Sequence, residues 1–204
     1  MNKIYITIIS LIASLSLQIV ADEIKPSRAI LESNVGDMQV EMIKLEDGSW
    51  QMNSLLDGGS IVRREESELF EIINNQIKPI NYRFNQRILF RRSKASADFD
   101  WGNNEVSYTE NKEKGKIVLT ENILGPSSAS LQLRLDFRQL GEANIPNEIS
   151  YKVYWKGTIK NRIYDVSEAK ESVETPFGTF EAYKVSRQFE NGSDRSQVFW
   201  LAPD

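Results

Sequence analysis

The sequence predicts an all-β, mostly antiparallel fold: a strongly curved sheet or partly open β-barrel with one short helix packed on it. Three observations carry that expectation. From Ala29 to Trp101 apolar and polar residues alternate almost throughout, the period that turns one face of a strand to the core and the other to water. The alternating runs are separated by turn formers, among them Glu46-Asp47-Gly48-Ser49, Asp57-Gly58-Gly59, Asn74-Asn75 and Asn191-Gly192. Strands with one solvated face suit antiparallel pairing, whereas parallel strands are buried on both faces.

Taken in order, Met38, Val40 and Met42 form the first clear alternation, and Trp50, Met52 and Leu56 the next. Ile61 to Ile73 is ambiguous, because Glu65, Glu66, Glu68 and Glu71 suit a helix as well as a long strand. Tyr82 to Trp101 reads as a hairpin. Tyr82, Phe84, Ile88 and Phe90 fall on one face, with Arg83, Asn85, Arg87 and Arg91 on the other. A turn near Arg92-Ser93-Lys94 leads to Ala95, Ala97, Phe99 and Trp101, and pairing would set Arg87 or Arg91 opposite Asp98 or Asp100. Two short strands follow around Glu113-Lys114-Gly115.

Leu131 to Leu140 alternates too, yet Leu133, Phe137 and Leu140 also fit a helical face. Its leucine, arginine and glutamine content favours a helix, with serines placed to cap the start and Gly141 the end. Ile149, Tyr151, Val153 and Trp155 resume the strand pattern. The chain then enters a final hairpin: Pro176 and Gly178 punctuate, Phe180, Tyr183, Val185 and Phe189 follow, Asn191-Gly192 turns, and Val198 to Leu201 returns.

The N-terminus sets an expected compartment. Lys3 precedes an apolar run from Ile4 to Leu17, and Val20-Ala21 offers a cleavage point, so residues 1–21 read as a secretory signal peptide and residues 22–204 as a single β-rich domain. With no cysteine there is no lipoprotein anchor point and no disulfide, so a soluble periplasmic protein is expected. A net charge of −4 argues against a nucleic-acid partner.

Absent residue types narrow the chemistry. No histidine and no cysteine leaves no usual general base and no zinc ligand set, so neither a catalytic residue, a metal nor a cofactor is expected. Asp98 and Asp100 read as the solvated face of a hairpin rather than a carboxylate pair. The candidate ligand-facing residues are the aromatics Phe84, Phe90, Phe99, Trp101 and Trp155, which could line a cavity for a lipid-like ligand, although aromatics also build ordinary cores. Arg83, Arg87 and Arg91 form a candidate surface for anionic headgroups or an envelope protein partner, with solubilising charge as the plainer explanation. A monomer is expected.

Glu174-Thr175-Pro176 with Gly178, Phe180, Ala182 and Val185, followed by Trp200-Leu201-Ala202-Pro203, resembles the C-terminal signature of an exported bacterial family, domain of unknown function 3108. The resemblance extends upstream through Ser130 to Gly141 and Pro79 to Trp101. It implies a strand for Ile61 to Ile73 and a helix for Leu131 to Leu140. Family members carry a further strand beyond Trp-Leu-Ala-Pro, so it also implies a domain short of its last strand. The family has no established activity and lends no catalytic residues.

Overall fold

A computed structural model describes residues 24–31, 36–141, 144–175, 177–189 and 197–202. The protein is mostly antiparallel β-structure with one helix. Eight strands follow one another as a meander: β1 (Ser27–Leu31), β2 (Asp37–Lys44), β3 (Trp50–Gly58), β4 (Val62–Ile73), β5 (Gln76–Ile88), β6 (Arg91–Asp100), β7 (Glu105–Glu110) and β8 (Glu113–Val118). Each pairs only with its chain neighbours. A second sheet is ordered β13-β12-β11-β10-β9, from β9 (Ile123–Leu124), β10 (Glu148–Trp155), β11 (Thr158–Thr175), β12 (Gly178–Arg187) and β13 (Val198–Leu201). Its pairings are antiparallel except β9 with β10. Among the described residues β1 and β8 remain separate edges, so the strands form two open sheets and no closed barrel.

Ile61 to Ile73 resolves as strand, and its acidic residues are divided by parity. Residues 62, 66, 68 and 70 share the face turned to the interior, while Glu65 and Ser67 lie on the other. The register of β4 with β5 slips between Leu69 and Phe70, which pair with Asn81 and Pro79. A proline has no N–H to give a ladder, and a bulge is where a central strand can hold one.

The hairpin of β5 and β6 departs from its expected geometry. Its turn is Leu89-Phe90, with Ile88 opposite Arg91, and not Arg92-Ser93-Lys94. Arg91 therefore stands on β6 in register with Ile88, on the opposite face from Arg83 and Arg87. Arg87 faces Arg92 across the ladder, and Asp98 faces Asn81. The next turn is Asn111-Lys112, and Glu113-Lys114-Gly115, where the turn is expected, already belongs to β8. Of the final hairpin, the antiparallel pairing of β13 with β12 holds, while Pro176, Asn191-Gly192 and Pro203 lie outside the described residues, as do residues 1–21.

The helix, α1 (Ser128–Leu140), lies between the sheets and ends at Gly141, whose φ of 65° is easy only for glycine. Leu131 and Leu135 join Trp50, Phe70 and Ile77 of the first sheet. Leu133 and Phe137 join Tyr164, Val166 and Val185 of the second. Positions two apart on a helix point nearly opposite ways, so burial on both sides produces the strand-like alternation seen in the sequence. A further cluster of Tyr82, Phe84, Phe99, Val106 and Tyr154 closes the space between the sheets directly.

The start of the helix is held from both sheets. Ser127, the N-cap residue, makes no side-chain cap bond. Glu68 replaces it: one carboxylate oxygen, Oε2, accepts from the backbone N–H of Ser127 at 2.8 Å and of Ser128 at 3.2 Å. From the other sheet Arg162 Nη1 donates to the Pro126 carbonyl at 2.9 Å. Glu68 is 0% exposed, and its Oε1 has no hydrogen-bond partner. Burial pushes its pKa up from the ordinary 4.5 to about 7, with hydrogen bonds from Ser127 and Ser128 pulling the other way. Burial prevails, so the folded protein favours the neutral acid.

Two predictions follow from this joint. A carboxyl raised from 4.5 to about 7 binds a proton more tightly in the folded state than in the unfolded. Its contribution is complete below pH 4.5 and is lost as pH rises through 7, so stability should fall by on the order of 3 kcal/mol between those limits. Urea unfolding at pH 5 and pH 8 measures the drop, and Glu68→Gln, which keeps a carbonyl acceptor without the titration, should flatten it. Gly125 supplies the second prediction, because a Cβ there would fall 2.0 Å from Glu68 Oε1. Gly125→Ala should cost ~1–3 kcal/mol, and much less when combined with Glu68→Ala in a double-mutant cycle.

Candidate ligand-binding groove

The outward face of the eight-stranded sheet carries a broad groove. Antiparallel register aligns one side chain from each strand into a row, and alternation fixes which residues share a face. One row runs Arg28, Glu41, Asn53, Ser67, Arg83, Ser96 and Thr109 across β1 to β7. A second, two residues further along each strand, runs Gln39, Leu55, Glu65, Asn85 and Lys94. Together they border a cavity of about 890 Å³. By strand spacing the first row extends about 30 Å along the sheet, and the rows stand about 7 Å apart.

Almost every lining group is a hydrogen-bonding one, and cations and anions alternate. Several are held in place by their neighbours. Gln51 Nε2 donates to Asn53 Oδ1 at 3.0 Å and to Ser67 Oγ at 3.1 Å. Glu65 accepts from Arg63 Nε at 2.9 Å and from Asn85 Nδ2 at 3.2 Å, and Arg63 above all holds its carboxyl below the usual range. Arg83 bonds Asp98 at 2.7 Å through Nη2 and the Ala97 carbonyl at 3.1 Å through Nη1. The guanidinium is thereby fixed at the middle of the row. An acyl chain finds apolar surface here only between the polar groups, as at Leu55, and stripping water from those groups without replacing their bonds is unfavourable. A ligand rich in hydroxyls or amides would satisfy them.

The five candidate aromatics are not gathered around one cavity. Phe84 and Phe99 pack in the interior, and Phe84 alone of the five also borders the groove. Trp101 is half-buried, with its indole N–H on the Pro79 carbonyl at 2.7 Å. Trp155 is half-buried beneath the Lys156 ammonium. Phe90 is 99% exposed at a hairpin tip. Of the arginines, Arg83 lines the groove, Arg87 lies on the same face nearer the tip, and Arg91 lies on the other face. Asp98 pairs with Arg83, and Asp100 accepts from the Asn103 backbone N–H and side-chain amide, which keep its carboxyl below the usual range.

Sequence reading passed over the rows themselves and the buried Glu68. Both were marked by parity. Glu66 and Glu68 occupy the same face as Val62 and Phe70, and an acid on an apolar face needs a partner. The groove residues are the polar half of each alternation, and the register that aligns them depends on where each turn falls.

These features define a mostly antiparallel β protein that presents a polar groove across one sheet. A family model described as protein of unknown function (DUF3108) matches residues 29–204, and the chain belongs to that family. No curated protein and no solved structure matches the chain significantly. Among the described residues no helix is long and apolar enough to cross a membrane.

The Arg83–Asp98 pair offers a measurable check on the groove's electrostatics. Both side chains are about half exposed, so Asp98→Asn should lower stability by less than ~1 kcal/mol, and added salt should shrink the difference in urea midpoint.

Proposed function

We propose that the protein is a non-enzymatic binding or carrier protein, exported to the periplasm, whose eight-stranded sheet curves around an elongated lipid-like ligand with a polar, hydroxyl-rich head. One observation carries the reading: two rows of mostly polar side chains, with Leu55 set among them, border a cavity of about 890 Å³. Export rests on the apolar segment from Ile4 to Leu17 behind Lys3. The non-enzymatic character rests on the absence of histidine and cysteine and on the engagement of Asp98 and Asp100 in local bonds. The mixed charge of the groove, with Arg28, Arg83 and Lys94 beside Glu41 and Glu65, favours a neutral or zwitterionic head over a polyanion.

Native mass spectrometry of protein purified from the periplasm without detergent, followed by solvent extraction, tests this reading. The expected result is a bound species of defined mass that disappears in Ser67→Trp, where the indole fills the middle of the groove. A bare polypeptide mass for the unsubstituted protein would count against it.

A second reading, an envelope assembly module, draws on a different place. Exposed Phe177 lies between β11 and β12, β12 carries exposed Phe180, and Trp200 of β13 is also exposed. Co-purification of a partner that is lost in Phe177→Ser would support it.

A further inference from the structure

We propose that the paired tips of the β3–β4 and β5–β6 hairpins form a docking site for an anionic lipid surface. In this arrangement Leu89 and Phe90 enter the interface and the arginines around them meet lipid phosphates.

The turn itself is the first observation. Among the described non-glycine residues with positive φ, five are asparagines, at positions 74, 75, 104, 111 and 122, one is Lys156, and the other is Leu89, with φ 53°. Asparagine tolerates this backbone region and leucine does not favour it. At this one turn the protein places two large apolar residues where asparagine or glycine would fold more easily. Neither residue is repaid by internal packing, since Leu89 is 56% and Phe90 99% exposed. A locally unfavourable, exposed apolar pair is what a contact outside the chain would require.

The neighbouring tip enlarges the patch. Leu89 N–H donates to the Ile61 carbonyl at 2.7 Å, and Arg87 Nη2 donates to the Gly59 carbonyl at 3.0 Å, so the two turns are bonded into one platform. Ile61 and Ile88 are both exposed on it. On the far side the β7–β8 turn stops short: Asn111 N–H reaches the Lys94 carbonyl at 2.7 Å, and Arg91 to Ser93 continue beyond it. The tip therefore projects beyond that turn, where a fluid layer can reach it.

Charge selects the partner. From Pro79 through Ala97 the chain has Arg83, Arg87, Arg91, Arg92 and Lys94 and no acidic residue, although the whole protein carries −4. Arg91 and Arg92 are exposed and have no carboxylate partner among the described residues. On the adjoining turn Glu110 is held by Lys156 at 3.4 Å and Glu113 stands between Lys112 and Lys114, while Asp57 below the platform is held by Arg63 at 2.6 Å, so the balance at the tip stays basic. A symmetric contact with a second copy would set arginine against arginine. Apolar side chains within a basic collar match the interface of a bilayer that contains anionic lipid.

The test uses the folded protein and two kinds of vesicle, phosphatidylcholine alone and phosphatidylcholine mixed with phosphatidylglycerol. Flotation should recover protein with the mixed vesicles only, and less of it at high salt. Because the chain has no cysteine, Phe90→Cys gives a single labelling site, and a polarity-sensitive dye there should shift to the blue on the mixed vesicles. Phe90→Asp and the pair Arg91→Glu with Arg92→Glu should each reduce recovery roughly tenfold or more, with the thermal midpoint unchanged because all three residues are exposed. Ser67→Trp should bind vesicles normally, which keeps this site distinct from the groove. Absence of recovery with the mixed vesicles, or equal recovery of Phe90→Asp, would overturn the proposal. So would a vesicle-free dimer that dissociates in Phe90→Asp, since the tip would then be a self-association surface.

Discussion

The structure depends on one buried carboxyl group. Glu68 leaves the eight-stranded sheet, caps the helix that separates the sheets, and sits where Arg162 of the second sheet grips the same Gly-Pro-Ser-Ser segment. A helix N-terminus buried without a cap would leave N–H groups unsatisfied, and the serines beside this one do not satisfy them. Gly125 exists in the space that the carboxyl occupies. Removing a side chain from residue 125 and placing an acid at residue 68 are thus one structural decision. At the other flank Gln132 bonds the Ile77 N–H and the Asn75 carbonyl, so the helix holds the β4–β5 turn as Glu68 holds the helix.

With one face of the meander committed to that core, the other face is released for surface work. The same alternation that sends Tyr82 and Phe84 inward sends Arg83 and Asn85 outward, and register then lines them up with partners from distant parts of the chain. A similar economy appears at Tyr108, whose ring lies over two positions without side chains, Gly115 across the ladder and Gly157 in the turn of the other sheet. The groove and the apolar tip are consequently separate features of one sheet, the first on its face and the second at its end.

Much of this was legible in the residues. Alternation gave the strands, and asparagine and glycine marked most of the turns. What misled was local. The turn at Leu89-Phe90 lacks the residues that announce a turn, so the sequence points to a turn a few residues late, which sets Arg91 on the wrong face. The helix alternates because both of its sides are buried, so periodicity alone could not separate it from a strand. Phe84 and Phe99 suit a core as well as a cavity wall, because composition cannot distinguish an inner face covered by another sheet from one left open. Glu68 was visible as an acid among apolar positions, yet its partner lies about sixty residues away and only the fold joins them.

Sheet order also bears on how the chain reaches this state. Every strand from β1 to β8 meets only its sequence neighbours, so the first sheet can be assembled one hairpin at a time with short loops to close. A chain that emerges N-terminus first can begin folding before its remainder is available. The parallel pair of β9 with β10 is different, because α1 lies between them in sequence. Strands β10 to β13 also pair with their sequence neighbours, so the joining of β9 to them is the one strand pairing that must close around the segment that Glu68 caps.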